Sequence, residues 1–247
     1  MGQYKNVRIP RMAISEWNIA ILHNKSPWMP MWWSLALPGL GHLCMGAYFQ
    51  GIILMAWEII INFKAHLNLA ILYTFTGQFE KAQNVLDTGW LLFYGVVICF
   101  SVFDSYRRSV EYNKLARLER KQHYRKYIFM KMSSIGVSYI DRSNPWVATF
   151  WSAMLPGFGH IYNNKAIKGV IILGWTVLII AFANMNDAII ATFTGNFEKA
   201  SIGINYQWIM FFPSIYCFAI WDSYNDSVEI NKLFIEEQRN YLSKQYT

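Results

Sequence analysis

The chain repeats itself, and the repeat constrains its folding more than any other feature of the sequence. At an offset of 118 residues, which puts Pro27 and Trp28 on Pro145 and Trp146, about 90 residues align without a gap and roughly two positions in five are identical. LPGLGH (37–42) falls on LPGFGH (155–160), FTGQFEKA (75–82) on FTGNFEKA (193–200), and DSYRRSVEYNKL (104–115) on DSYNDSVEINKL (222–233). A chain of this kind folds as two copies of one unit.

The unit reads as a membrane module. Hydrophobic residues make up 54% of the chain and charged residues 15%, against about 25% charged in soluble proteins. The aromatic share, 17%, suits rings placed at membrane interfaces. Each copy has three apolar stretches. The first, 28–37 or 146–155, is about half the roughly 20 residues needed to span and ends at Pro-Gly, so it reads as a re-entrant or broken helix. The second, 51–63 or 169–183, reaches spanning length by continuing through 70–75 or 188–193. The third, 90–106 or 208–224, carries a helix breaker at one register, Gly95 or Pro213, and a bend is expected there.

Charge placement gives the orientation. Nine Lys and Arg lie between Arg107 and Lys131 against Glu111 and Glu119, which accounts for the whole net charge of +7. Basic loops belong on the cytoplasmic side, as do Lys5, Arg8, Arg11 and Lys25 near the start of the chain. Each copy then crosses an even number of times. Four crossings is the simplest arrangement and six is the alternative, with the copies parallel and the FTGxFEKA segments outside. Arg107, Arg108, Arg117, Arg120, Lys121, Arg125 and Lys126 are the expected contacts for anionic lipid headgroups or a partner. No nucleic-acid-binding module accompanies these charges.

Two groups of residues stand out as candidate sites. Gly39, Gly41 and His42, with Gly157, Gly159 and His160, form broken-helix turns whose glycines allow close backbone approach and whose imidazoles suit freed backbone groups. The alternatives for the histidines are a polar lining or proton-handling role, or a haem or metal bound between them; haem is the cofactor alternative, and no metal site is expected. Asp104, Glu111 and Lys114, with Asp222, Glu229 and Lys232, are expected near one helix face at the membrane boundary, either as an inter-repeat salt-bridge network or as an ion site. In FTGxFEKA, Gly77 and Gly195 suit left-handed helix stops. Residues 14–22 read as an amphipathic interfacial helix, and Cys44, Cys99 and Cys217 as packing residues. Nucleotide-binding, metalloprotease and serine-hydrolase motifs are absent.

At LPGLGHLCMGAYFQG and LPGFGHIYNNKAIKG the chain resembles the TM-two domain family, through Gly39, Gly41, His42, Gly46, Gly51 and Asp104 and again Gly157, Gly159, His160, Tyr162, Gly169 and Asp222. It departs from that pattern at Cys44 and Asn164 and in the FTGxFEKA insertion. A tandem arrangement of this kind also resembles Gram-positive membrane proteins. The expected fold is an all-α integral membrane protein of two tandem parallel repeats, each a re-entrant element and two transmembrane helices. The expected segments are an interfacial segment (1–26), repeat one (27–115), a basic cytoplasmic linker (116–144), repeat two (145–233) and a cytoplasmic tail (234–247). The functional expectation is a non-catalytic accessory or assembly subunit of a complex in the bacterial cytoplasmic membrane, with both termini cytoplasmic, a membrane-protein partner and no cofactor. The alternative is a small transporter or channel using the broken helices and Asp104/Asp222.

Overall fold

The computed structural model describes residues 9–122, 127–128, 130–134 and 137–246. The chain is mostly helical. A short hairpin, β1 (Met12–Ile14) and β2 (Ile19–Ile21), precedes α1 (Trp28–Ala36), α2 (Leu40–Cys44), α3 (Tyr48–Ala65), α4 (Leu67–Phe75), α5 (Phe79–Val85) and α6 (Thr88–Arg120). A second hairpin, β3 (Met130–Met132) and β4 (Val137–Tyr139), leads to α7 (Pro145–Met154), α8 (Phe158–Tyr162), α9 (Ala166–Phe182), α10 (Met185–Phe193), α11 (Phe197–Gly203), α12 (Tyr206–Ile209) and α13 (Phe212–Gln245).

The expected interfacial helix at 14–22 is instead an antiparallel hairpin, with Met12 opposite Ile21 and Ile14 opposite Ile19. Its sequence alternates: Met12, Ile14, Ile19 and Ile21 are buried while Ala13 and Ala20 face out, the period of a strand. Ser15 and Asn18 close the turn, Ser15 N donating to Asn18 O at 2.9 Å and Asn18 N to Ser15 Oγ at 3.0 Å. The buried side chains pack with Ile140, Ile230 and Leu233. Arg11 pairs with Glu236 at 2.7 Å, Gln122 Nε2 donates to Ile9 O at 3.0 Å, and Lys131 pairs with Glu16 at 3.0 Å. The N-terminal hairpin, the end of α6, the linker hairpin and the C-terminal half of α13 therefore form one end of the molecule. Residues 116–120 continue α6 and 234–245 continue α13, so these parts of the expected linker and tail are helical.

The second apolar stretch is not straight. α3 and α4 meet at 65° and α9 and α10 at 66°. His66 and Asn184 hold the bends in left-handed backbone, at φ 52° and 54°. The third stretch differs between the halves. α6 runs unbroken through Gly95, whereas Pro213 falls in the first turn of α13, where a missing N–H costs nothing. The helix breaker expected at this register does not interrupt α6. Among the described residues, α6 alone is long and apolar enough to cross a membrane, or three spans if each bent pair counts as one.

The main core lies between the halves. Trp33, Leu40, Leu43 and Met55 pack with Ile172, Ile179, Ile215 and Phe218, and the rings of Trp33 and Phe218 meet edge to face at 5.3 Å. Cys44 is buried, but Cys99 and Cys217 sit on outward faces of α6 and α13, so they are not packing residues of the core.

Candidate functional site: paired His and Asp beneath the glycine turns

The glycines bring three helices into backbone contact. Gly39 and Gly157 turn the chain at φ 103° and 107°, a conformation other residues rarely adopt. A side chain on Gly41 would overlap the Pro30 carbonyl and the Ser34 hydroxyl, and one on Gly159 the Ala148 carbonyl and the Ser152 hydroxyl. Gly39 and Gly157 press equally closely on Gly51 and Gly169 of the following helix. The turn is thus locked by contact on both sides.

This packing points each histidine at the third long helix of its half. His42 Nε2 lies 3.1 Å from Asp104 Oδ2, and His160 Nε2 lies 3.0 Å from Asp222 Oδ2. Both rings are fully buried, and their Nδ1 atoms have no hydrogen-bond partner among the described residues. The two groups treated separately in the sequence are therefore one site per half.

The charge that compensates each aspartate comes from different places. Arg107 reaches Asp104 at 2.6 Å and Arg108 at 2.5 Å, both from the same helix and both partly exposed. In the second half Asn225 and Asp226 replace them, and the cations rise from the start of α9: Lys168 Nζ lies 2.6 Å from Asp222 and 2.8 Å from Asp226, and Lys165 lies 2.6 Å from Asp226. Buried carboxylates need such partners, since an isolated charge costs several kcal/mol to bury. The sequence contained the signal: Ala47, Gln50 and Arg108 in one copy stand where Lys165, Lys168 and Asp226 stand in the other.

His160, Asp222 and Asp226 also place three potential ligand atoms within 4.8 Å of one another. The lysine ammoniums already supply the positive charge that a metal ion would bring there. For haem, the Nε2 atoms of both histidines are turned to their carboxylates rather than free.

The other expected residues divide. Glu111 and Lys114 do not share the buried face of α6. That stripe runs through Ser101, Ser105, Ser109 and Asn113, which rotates Glu111 outward to meet Arg107 at 3.1 Å and leaves Lys114 exposed. Glu229 instead turns in toward the N-terminal arm, 2.6 Å from His23, 3.2 Å from Lys25 and 3.8 Å from Lys165. Burial raises the Glu229 carboxyl, but Lys25, the His23 hydrogen bond and Lys165 outweigh it and hold it at about 2. The same pairing more than offsets burial at Lys25 and raises its ammonium above the ordinary lysine value. Lys232 is exposed beside this group. Arg117, Arg120 and Lys121 are exposed near the end of α6, and Arg125 and Lys126 lie outside the described residues.

One contact escaped the sequence reading although its residues lie in the shared motif. Asn113 accepts from Lys25 N at 2.8 Å and donates to Lys25 O at 2.7 Å; Asn231 does the same with Ser143 at 2.9 and 2.7 Å. Each asparagine pins the backbone that enters the first helix of its half.

Residues 141–243 match a family of unknown function, DUF5683. No curated protein matches the chain, and no solved structure does.

Proposed function

We propose that the chain is a multi-pass protein of the bacterial cytoplasmic membrane, built as two parallel copies of one module, and that it acts as a non-catalytic accessory or assembly subunit. The membrane reading is supported by outward apolar side chains along the long helices, among them Phe49 and Trp57 on α3, Phe93 and Phe103 on α6 and Val170 and Val177 on α9. Patches of this extent mark lipid or protein contact. α3 has 18 residues, about 27 Å at 1.5 Å per residue, and completes the roughly 30 Å hydrocarbon thickness only with α4, which bends from it by 65°. The α4–α5 and α10–α11 pairs then carry the chain to the outer surface, and the end that joins the N-terminal hairpin, the linker and α13 faces the cytoplasm.

The accessory role rests on one observation above others: Asp104 and Asp222, the carboxylates a transport path would use, are each paired with a histidine and with cations of the protein itself, Arg107 and Arg108 at the one and Lys168 at the other. Such a group is a lock between helices. The test is reconstitution of the purified chain in liposomes, together with mild-detergent purification from native membranes. The account expects no ion flux and a stoichiometric membrane partner. Flux that disappears in the folded double variant Asp104→Asn, Asp222→Asn would establish the transporter instead.

A further inference from the structure

A cavity of about 270 Å³ opens between the two halves, walled by the arm at 23–26, the start of α1, Cys44 and one face of α13. Its wall is of two kinds. Met29, Pro30, Trp221 and Val228 give an apolar side, and Lys25, Asp222, Glu229 and Lys232 a charged one.

The cavity's height in the fold is marked by aromatic pairs. Trp28 meets Tyr106 with ring centroids 6.0 Å apart, and Trp146 meets Tyr224 at 5.5 Å. Trp and Tyr collect at the headgroup level of a bilayer. Trp28 adjoins the cavity's Met29, and Tyr224 lies one turn from the cavity's Trp221 and Val228, so on the membrane reading the opening falls at the level of the lipid phosphates.

Charge counting then selects the occupant. Lys25, Lys165 and Lys168 are balanced by Asp222, Asp226 and Glu229, which pair among themselves. Lys232 adds a further positive charge at the cavity wall and makes no ion pair among the described residues. With histidine counted as neutral, the charged lining together with Lys165, Lys168 and Asp226 behind it carries one excess positive charge, that of Lys232, beside an apolar wall. A ligand with a single negative charge and a hydrocarbon part satisfies both.

We propose that this cavity binds the headgroup of one anionic phospholipid per chain, with the phosphate toward Lys232 and the glycerol and upper acyl carbons against Met29, Trp221 and Val228. The proposal rests on the membrane reading and deepens it: the bound lipid would seal the arm and α1 of the first copy to α13 of the second. It is distinct from the diffuse attraction of lipid to the exposed arginines of α6, because it needs the cavity between the halves.

The test uses the full chain. Carbonate extraction of membranes first separates the two readings, since a chain released into the supernatant overturns the membrane assignment itself. For chain retained in the membrane, native mass spectrometry in detergent follows with phosphatidylglycerol or phosphatidylcholine added. The expected result is one phosphatidylglycerol retained per chain in preference to phosphatidylcholine. Retention should fall about tenfold in Lys232→Glu, which replaces an attraction by a repulsion at an exposed position, and in Val228→Trp, which fills the cavity. Lys232→Glu leaves the packing untouched, so it keeps the test decisive if Val228→Trp fails to fold. Equal retention of the two lipids by the native chain, or unchanged retention in Lys232→Glu, overturns the proposal.

Discussion

His160 and Asp222 stand 62 residues apart in the chain and 3.0 Å apart in the fold, with the imidazole fully enclosed. The same separation joins His42 to Asp104 at 3.1 Å. What differs is where the compensating charge resides, and that difference is measurable. Removal of Asp222 leaves two buried ammoniums, Lys168 at 2% exposed and Lys165, to share the Asp226 carboxylate, whereas removal of Asp104 frees Arg107, whose side chain is 47% exposed and can turn to water. Breaking a buried pair from one side costs about 3–5 kcal/mol. Asp222→Ala is therefore expected to lose about that much stability, and Asp104→Ala distinctly less, in denaturant or thermal unfolding of the detergent-solubilised chain.

The exchange between copies makes a second prediction. Lys168→Gln alone leaves Asp222 and Asp226 undercompensated. Adding Lys165→Ala and Asp226→Arg gives the second half the residues of the first, Ala47, Gln50 and Arg108. The triple variant should be more stable than Lys168→Gln, by roughly 1–3 kcal/mol, a non-additivity typical of residues in one network. A triple variant no better than the single one would mean the two halves do not solve the same problem interchangeably.

Glycine positions separate close approach from mere helix breaking. Gly41→Ala and Gly159→Ala must displace a backbone carbonyl, and overpacking of this kind costs about 1–3 kcal/mol or more. Gly95 has open space around it in a continuous helix, so Gly95→Ala should gain about 0.5–1 kcal/mol from helix propensity. Unfolding midpoints of the three variants check the contrast.

Acid should act through Glu229. Its carboxyl is held at about 2 in the folded chain against an ordinary 4.5, a depressed value, so its stabilising contribution is complete above pH 4.5 and fades as pH falls toward 2. Glu229→Gln should be less stable than the native chain at pH 7, and the gap should narrow steadily between pH 4.5 and pH 2.5. Thermal unfolding across that range shows whether the two curves converge.

The sequence carried the helical class and the glycine turns, because each is a local signal. Gly77 and Gly195, for instance, adopt left-handed backbone at φ 75° and 77° as their motif predicts. It did not carry the pairing of His42 with Asp104, because nothing local links residues 62 apart. The N-terminal hairpin was misread for a different reason: Ile14 and Ile19 flank a four-residue turn, and treating 14–22 as one run hides the alternation on each side of it. Glu111 and Glu229 occupy the same motif position, yet only Glu229 is drawn inward, since His23 and Lys25 face it, whereas Arg107 holds Glu111 outside.

The arrangement of the two copies across the membrane is the claim on which the account depends, and substituted-cysteine labelling reads it directly. In a chain with Cys99 and Cys217 replaced by serine, Lys81→Cys and Lys199→Cys should both react with a membrane-impermeant maleimide applied to intact cells. Arg117→Cys and Arg142→Cys should react only after the cells are opened. Labelling of Arg117→Cys or Arg142→Cys from outside, or of only one of Lys81→Cys and Lys199→Cys, would contradict a parallel pair of modules with a cytoplasmic linker.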